Sequence, residues 1–363
     1  MIFGTRPEAI KMAPVVRALK AEPRIETLVW SSGQHRQMLD QVMALFQITA
    51  DRDLQVMTAD QTLNGLFARV LERMDQVFAE ERPDRVLVHG DTTTAAAAAT
   101  AAFHRGIPVG HVEAGLRSGF MDKPWPEEFN RRCVDLVADH LYAPTPWARD
   151  NLLKENLGER RIVVTGNTVV DALLHVKGRI DAEPALNAEL AARFPQLDPS
   201  KRLVLVTGHR RENFGDGFLN ICKALAEIAE LPDVQVLYPV HLNPNVQRPV
   251  MGLLADKANI ALVEPVDYLS FVYLMGRSTV ILTDSGGVQE EAPSLGKPVL
   301  VMREVTERPE AVEAGVVRLV GAEAGKIVSS VRDALEGPAR AEIANPYGDG
   351  KAAERIVREI VSE

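Results

Sequence analysis

The fold is decided by residues 279–302, which read TVILTDSGGVQEEAPSLGKPVLVM. Residues 280–282 and 299–302 are short apolar runs rich in β-branched side chains, bounded by Gly and Pro, a pattern typical of buried parallel strands. Between them, the Ser-Gly-Gly turn at 285–287 opens a predicted helix. Its unpaired backbone N–H groups and the positive end of the helix dipole favour a bound anion such as phosphate.

Two acidic side chains, Glu290 and Glu291, follow this turn within the same short helix. A carboxylate at this distance from a phosphate can accept hydrogen bonds from a ribose diol, so the stretch is suited to a nucleotide. The alternative is an ordinary strand-to-helix turn with Ser285 as its N-cap and solvated glutamates. Arg303, Glu307 and Arg308 favour the nucleotide, because they follow the second strand at the edge where open α/β sheets bind ligands.

The same strand, acidic turn and helix plan occurs earlier in the chain. Residues 85–89 form a predicted strand that ends in Gly-Asp, and Gly-x-Pro-Val recurs at 106–109 and 296–299. This repetition predicts an α/β protein of two Rossmann-like, doubly wound domains that face a central cleft. We place the domains at 1–166 and 167–363, with prolines breaking the chain between 166 and 200 and a last helix at about 352–361 that returns to the first domain.

Composition and charge narrow the functional class. The chain has 363 residues, 46% of them apolar and 25% charged, and a net charge of −9, which argues against nucleic acid and anionic membranes as partners. No apolar run is long enough for a membrane helix and no signal layout opens the chain, so we expect a cytoplasmic protein. Cys133 and Cys222 lack metal-site spacing and are expected to be free thiols.

Reactive side chains cluster at the predicted strand ends. They are Arg6 and Lys11, Asp91, Glu113 with Arg117, His209 with Arg210, and Arg308. Cations could hold a diphosphate there, while Asp91, Glu113 and Glu127 would supply carboxylates. Asp91 could instead be a helix N-cap, and His89 and His111 are expected to be core residues. Zinc-site spacing, a nucleophile–His–Asp set and the dinucleotide fingerprint are all missing.

Seven motifs together resemble one enzyme family. They are GTRPEAIK at 4–11, GQHRQMLD at 33–40, HGDTTT at 89–94, HVEAGLRS at 111–118, PEEFNR at 126–131, GHRREN at 208–213 and DSGGVQEE at 284–291. The chain resembles the non-hydrolysing bacterial UDP-N-acetylglucosamine 2-epimerases nearly end to end. The resemblance implies the glycosyltransferase-B fold, a homodimer, and interconversion of UDP-GlcNAc and UDP-ManNAc for surface polysaccharide without a nicotinamide, another cofactor or a metal.

The resemblance also implies roles for individual residues. The catalytic set is Asp91, Glu113, Glu127 and His209. The substrate-binding set is Arg6, Lys11, Arg131, Phe271, Ser285, Gly286, Gly287, Glu291 and Arg308. A second UDP-GlcNAc site, at which substrate acts as allosteric activator, is implied by Gln34, His35, Gln37, Arg69, Arg211 and His241. UDP is expected to leave from the anomeric carbon and to re-add to a 2-acetamidoglucal intermediate.

Two departures and three alternatives remain. Val266 stands where relatives often carry Gln, so its side chain cannot hydrogen-bond uracil, and only Ile2 and Phe3 precede Gly4 in the first predicted strand. A glycosyltransferase of the same fold would share the nucleotide site, a hydrolysing epimerase would release free ManNAc, and a sensor would bind without turnover. The three carboxylates argue against the first, the regulatory residues against the second, and the intact catalytic set against the third.

Overall fold

The computed structural model describes residues 1–33, 36–58, 60–158, 161–337 and 344–362, without the side chains of 36–38. These residues divide into two compact units. Unit 1 comprises Met1–Ala172 with Tyr347–Glu363, and unit 2 comprises Leu173–Pro346. Both are α/β with parallel strands, which confirms the predicted fold class.

Unit 1 alternates strands and helices along its length. Its elements are β1 (Ile2–Phe3), α1 (Arg6–Lys20), β2 (Trp30–Ser31), α2 (Arg36–Phe46), β3 (Arg52–Asp53), α3 (Leu63–Glu81), β4 (Val86–His89), α4 (Thr93–His104), β5 (Val109–Val112), α5 (Glu127–Val137), β6 (His140–Ala143), α6 (Pro146–Lys154), β7 (Ile162–Val164) and the first part of α7 (Thr168–Ala182). The strands pair in the parallel orders β1-β2-β3 and β4-β5-β6-β7, and β1 lies next to β4.

Unit 2 contains one six-stranded sheet. Its elements are the rest of α7, α8 (Pro184–Ala192), β8 (Arg202–Thr207), α9 (Asp216–Ile228), β9 (Val234–Pro239), α10 (Pro244–Leu254), β10 (Ile260–Val263), α11 (Tyr268–Arg277), β11 (Val280–Thr283), α12 (Gly286–Glu291), β12 (Val299–Val301), α13 (Pro309–Glu313), β13 (Val317–Leu319) and α14 (Ala324–Glu336). The order is β10-β9-β8-β11-β12-β13, all parallel. This is the doubly wound arrangement, in which the order reverses between β8 and β11.

Apolar side chains fill the space between sheet and helices in each unit. In unit 1 the core includes Val86 and Val88 of β4 and the buried alanines of α4, whose small side chains let the helix approach the sheet closely. In unit 2 the core includes Val204 and Val206 of β8. A final helix, α15 (Ala352–Val361), packs against α1 within unit 1, and the Asp171 carboxylate accepts from the backbone N–H of Ala353 at 2.8 Å.

Several local predictions need correction. The strand predicted at 26–31 is only Trp30–Ser31, because β1 offers just two residues for pairing, Ile2 and Phe3. The proline-rich stretch at 166–200 is mostly helical. Pro184 opens α8 rather than breaking the chain, since proline at the first helical position loses no intrahelical hydrogen bond. Among the described residues, none of the helices is long and apolar enough to cross a membrane.

Candidate functional site

In unit 1 the predicted catalytic residues Asp91 and Glu113 follow the carboxyl ends of the adjacent strands β4 and β5, whereas Glu127 begins α5. Glu113 follows β5 directly, and its Oε1 contacts the Lys11 ammonium of α1. Asn167 Nδ2 donates to the same oxygen at 3.0 Å, and His89 Nε2 lies 3.6 Å from Glu113 Oε2. The carboxylate of Glu113 is therefore held by Lys11 of α1 and by Asn167 in the turn before α7, with His89 of β4 close by.

The backbone of Glu113 is unusual, with a φ of +70°. A non-glycine residue in the left-handed region costs free energy, and such residues concentrate at functional sites. The N–H groups of Glu113 and Ala114 both donate to the Tyr142 carbonyl at 3.1 Å, which ties this turn to β6. The strand-end position that made a functional role plausible from sequence is therefore also a strained one.

Asp91 follows β4 and is held by helix α5. Its carboxylate forms an ion pair with Arg131, and Asn130 Nδ2 donates to its carbonyl oxygen at 3.0 Å. The alternative that Asp91 caps α4 is wrong, because Thr92 occupies the N-cap and its hydroxyl accepts from Ala95 N–H. Asp91 is therefore available for chemistry, with Arg131 to hold its orientation.

Glu127 and Glu128 open α5 and differ in environment. Glu128 is fully buried and accepts from Ser118 N–H and Arg132 Nε, each at 3.1 Å. Glu127 is half-buried, and its Oε2 is a buried atom with no hydrogen-bond partner among the described residues. An unpartnered buried carboxyl oxygen is costly unless a ligand satisfies it. This favours Glu127, rather than Glu128, as the site residue.

One further carboxyl group, that of Glu8, and one imidazole, that of His89, lie at this edge of the unit 1 sheet. Glu8 is buried and accepts from Thr5 N–H at 2.8 Å and from the Thr92 hydroxyl at 2.6 Å, so it joins the turn that carries Arg6 to the turn that carries Asp91. Burial lowers the pKa of His89 to about 3, with the charge of Lys11 acting in the same direction and that of Glu113 against it. His89 is therefore neutral.

In unit 2 the turn at 285–287 follows β11 beside the turn that follows β8. Asp284 is fully buried, and its Oδ2 accepts from the backbone N–H groups of His209 and Arg210, both at 2.8 Å. Ser285 is the N-cap residue of α12, as the alternative predicts, but its hydroxyl makes no capping bond to any described backbone N–H of that helix. The Asp284 carboxylate thus links the turn after β8 to the turn after β11. The strand order reverses between these two strands.

Cationic side chains surround this turn. A Cβ placed on Gly286 would lie 3.6 Å from Arg210 Nη2 and 3.6 Å from the guanidinium carbon of Arg308, so both cations lie close to the glycine backbone. Arg308 Nε donates to Glu290 Oε1 at 2.7 Å. Glu291 is buried and accepts from the Tyr268 hydroxyl at 2.6 Å. This arrangement suits an anion with a hydroxylated group nearby.

His209 is partly exposed beside this turn and stacks on His241, with ring centroids 5.2 Å apart. Burial lowers the pKa of His209, and the charges of His241 and Arg210 act in the same direction against the nearby carboxylate of Asp284. Phe271 lies half-buried on α11. The roles predicted for His209 and Phe271 stay predictions.

The predicted regulatory residues are only partly described. Gln34 and His35 lie outside the described residues, and Gln37 lies on α2 with its side chain outside them. Arg69 of α3 donates through Nε to the Val56 carbonyl at 2.8 Å and also contacts Gln61. Arg211 begins a single 3-10 turn after β8, and His241 follows β9.

Sequence reasoning missed several residues that hold the site. Asn167 contacts Glu113, Asp284 fixes two turns, and Tyr268 holds Glu291. The only available signal was position, since Asn167 and Asp284 each follow a strand and precede a helix. The sequence did not indicate which partners they would contact.

Comparison with known proteins decides the family. The family model for UDP-N-acetylglucosamine 2-epimerase matches residues 17–361. This chain belongs to the UDP-N-acetylglucosamine 2-epimerase family. The resemblance of its motifs to the non-hydrolysing bacterial members is thereby confirmed.

Full-length relatives agree with this assignment. The UDP-N-acetylglucosamine 2-epimerase of Salmonella typhimurium is 54% identical over 366 residues, covering 99% of this chain and 97% of that protein. The Escherichia coli epimerase is 55% identical over 361 residues, covering 98% of this chain and 96% of that protein. The crystal structure of the Neisseria meningitidis epimerase bound to UDP-GlcNAc is 46% identical, with a TM-score of 0.91 and coverage of 100% of this chain and 99% of that one.

Proposed function

We propose that this epimerase interconverts UDP-GlcNAc and UDP-ManNAc by elimination and re-addition of UDP. The single observation that carries the proposal is the carboxylate of Glu113, held on a strained backbone by Lys11 and Asn167 at the end of β5. Family membership supports the substrate, because the related Neisseria meningitidis enzyme was crystallised with UDP-GlcNAc.

The first step must make the C2 proton removable. That proton is not acidic, because no carbonyl group is adjacent to C2. When the anomeric C1–O bond breaks, UDP leaves with the electron pair, and the positive charge that develops at C1 acidifies the C2–H bond. A carboxylate then accepts the C2 proton, the C–H electrons form the C1=C2 double bond, and the product is a 2-acetamidoglucal.

The second step reverses the first on the opposite face. A carboxylic acid donates a proton to C2, the double-bond electrons form the new C–H bond, and a diphosphate oxygen of UDP attacks C1. Proton transfers on both faces of the sugar need more than one acid or base group. Asp91, Glu113 and Glu127 of unit 1 are the groups that we assign to these transfers.

Unit 2 supplies the groups that hold UDP. Arg210 and Arg308 lie beside Gly286, where they can stabilise the diphosphate as its charge increases on leaving. Gly286 and Gly287 at the start of α12 offer backbone N–H groups, whereas the Ser285 N–H already donates to the Thr283 hydroxyl oxygen at 3.0 Å. His209 contacts the diphosphate or sugar, and Glu291 accepts from the ribose. Arg6 and Lys11 of unit 1 complete the cationic set. No nicotinamide or metal enters any step.

A product analysis tests the proposal against its two enzymatic alternatives. The protein is incubated with UDP-GlcNAc alone, and the nucleotide sugars and free sugars are separated by chromatography. UDP-ManNAc without free ManNAc supports the proposal. Free ManNAc with UDP would indicate a hydrolysing epimerase, and UDP released only when acceptor sugars are added would indicate a glycosyltransferase.

We also propose that UDP-GlcNAc activates the enzyme at a second site that includes Arg69, Arg211 and His241. Activation predicts a sigmoidal dependence of rate on UDP-GlcNAc concentration. R69A should make that dependence hyperbolic, whereas R73A, on an exposed part of the same helix, should leave it sigmoidal. We further propose that the enzyme is a homodimer. Light scattering of the purified protein measures its molar mass and so tests this proposal.

A further inference from the structure

A buried charged cluster lies beneath the carboxyl edge of the unit 1 sheet. We call His111, Asp135 and Arg117 the buried triad. His111 of β5 is fully buried, with Nδ1 2.6 Å from Asp135 Oδ1 and Nε2 2.8 Å from the Gly90 carbonyl oxygen. Arg117 Nη2 lies 2.8 Å from Asp135 Oδ2. His111 is therefore a core residue with both ring nitrogens hydrogen-bonded, as expected. Its partners are a carboxylate and a backbone carbonyl oxygen.

The protonation of His111 follows from its partners. A backbone carbonyl oxygen and a carboxylate oxygen both accept hydrogen bonds, so making both bonds at once requires a proton on each ring nitrogen. Asp135 faces three donors, since Gly115 N–H also donates to its Oδ2 at 3.3 Å. Although burial raises the pKa of Asp135, His111 and Arg117 together bring it below its ordinary value. Asp135 is therefore ionised, and His111 carries both protons.

The triad connects two turns that carry proposed catalytic carboxylates. Gly90 directly precedes Asp91, and Gly115 comes two residues after Glu113. Both glycines have positive φ, +64° and +86°, so their turns have conformations that other residues rarely adopt. Through His111 on one side and Gly115 N–H on the other, the Asp135 carboxylate fixes the direction of both turns.

Stability alone explains this cluster poorly. His111 and Asp135 are 0% and 1% exposed, so their charges have lost almost all contact with water. Replacing buried ion pairs with apolar residues of similar volume is often neutral or stabilising, because desolvation offsets the attraction between the charges. An apolar replacement could fill the space, but it could not hold the Gly90 carbonyl and the Gly115 N–H.

We propose that Asp135 and His111 are positioning residues for proton transfer at C2. They orient the turns after β4 and β5, so that the carboxylates of Asp91 and Glu113 are in place when the C2–H bond breaks and re-forms. This inference rests on the proposed function. Both side chains are buried, and both residues act through the backbone of the two turns.

The test compares D135N and H111Q with the parent enzyme, all as full chains. In D135N an amide replaces the charge that holds His111 doubly protonated, and in H111Q the side chain cannot reach both Gly90 and Asp135. We expect kcat to fall by about 10- to 100-fold, because small misplacements of reacting groups have effects of this size. KM should change by less than about threefold, because the turns hold proton-transfer groups rather than the UDP-binding groups.

The decisive readout is the primary isotope effect with UDP-GlcNAc deuterated at C2. Misplaced carboxylates slow the C–H step selectively, so the isotope effect should be larger in both variants than in the parent. A role confined to folding would reduce the number of active molecules and leave the isotope effect unchanged. Because the isotope effect is a ratio, it does not depend on the fraction of folded enzyme, and either variant suffices if the other does not fold.

D139N is the matched control. Asp139 also contacts a histidine, His140 at 3.1 Å, and an arginine, Arg85 at 3.8 Å, but it precedes β6 at the amino end of the strand. Its kcat and isotope effect should stay within about twofold of the parent values, as expected for a substitution away from the reacting groups. An active parent with unchanged isotope effects in D135N and H111Q would overturn this inference alone. A parent that forms no UDP-ManNAc would overturn the proposed function as well.

Discussion

Among single residues, Glu113 matters most to the proposed chemistry. Its left-handed backbone is held by the Tyr142 carbonyl, and its side chain by Lys11 and Asn167. Strain of this kind costs on the order of 1–3 kcal/mol and persists only where surrounding contacts impose it. What distinguishes Glu113 is that this backbone carries a carboxylate held at the end of a strand.

Replacing Glu113 by Gln should abolish most of the activity while leaving the fold intact. The amide has the size of the carboxylate but cannot accept a proton from C2, and general acid–base groups typically contribute about 10²- to 10⁴-fold to the rate. The rate of UDP-ManNAc formation measures the effect. E80Q is the control, since Glu80 is exposed on α3 and pairs with Arg52. An E113Q enzyme with more than about a tenth of the parent kcat would contradict the role.

His89 should make unit 1 sensitive to acid. Its pKa is about 3 in the folded protein against an ordinary value of 6.5, so the unfolded chain binds a proton between these values and the folded chain does not. Stability is therefore unaffected above about pH 6.5 and falls as pH decreases towards 3. At pH 5 this loss amounts to about 2 kcal/mol.

Thermal unfolding of the parent and of H89Q tests this sign. On acidification from pH 7.5 to pH 5, the parent midpoint should fall by roughly 4–8 °C more than that of H89Q. The comparison between the two proteins removes the acid response that they share. Equal falls in both proteins would show that His89 is not buried in its neutral form.

The position of site residues was more predictable than their contacts. Asp91, Glu113 and His209 were placed correctly at strand ends, because apolar runs that stop at polar turns identify the carboxyl edges of parallel strands. The contact between Asn167 and Glu113 joins residues 54 positions apart. One sequence carries no local pattern for such a pair, since the pairing depends on how β5 and α7 pack.

At the scale of elements, the turns after β8 and β11 act together through Asp284. Its carboxylate accepts from two backbone N–H groups of the first turn and belongs to the second. The sequence placed both turns but did not predict the link between them. Helix boundaries were predicted less well where proline was involved, because Pro184 could be taken either as a breaker or as the first residue of a helix.

D284A should weaken UDP binding and lower stability together. Loss of the carboxylate leaves the His209 and Arg210 N–H groups without their acceptor, at a cost of about 1–3 kcal/mol. We expect about a tenfold increase in the dissociation constant for UDP, measured by calorimetry, since the turn also carries Arg210.

D284N should lie between the parent and D284A, because the amide oxygen can still accept from both N–H groups. D216A is the control, since Asp216 is exposed in the first turn of α9. An unchanged UDP affinity in D284A, with the variant folded, would show that the two turns do not need this link.

At the scale of the whole molecule, the repeated pattern of strands and helices predicted the α/β class correctly. In each unit the parallel strands follow one another outward in both directions from two central neighbours. These neighbours are β1 and β4 in unit 1 and β8 and β11 in unit 2. The proposed division of roles, with carboxylates in unit 1 and UDP-binding groups in unit 2, stays a prediction. This division follows from the side chains at the strand ends, which include the carboxylates of Asp91 and Glu113 in unit 1 and the cation of Arg210 in unit 2.

The proposed mechanism requires the C2–H bond to break and re-form during epimerisation. The most direct test is proton NMR of the protein with UDP-GlcNAc in D2O and no added cofactor. We predict that UDP-ManNAc appears with deuterium at C2, because the proton that leaves exchanges with solvent before another is donated. UDP-ManNAc that retains its original C2 proton, or a UDP-GlcNAc signal that stays unchanged while the nucleotide binds, would contradict this mechanism.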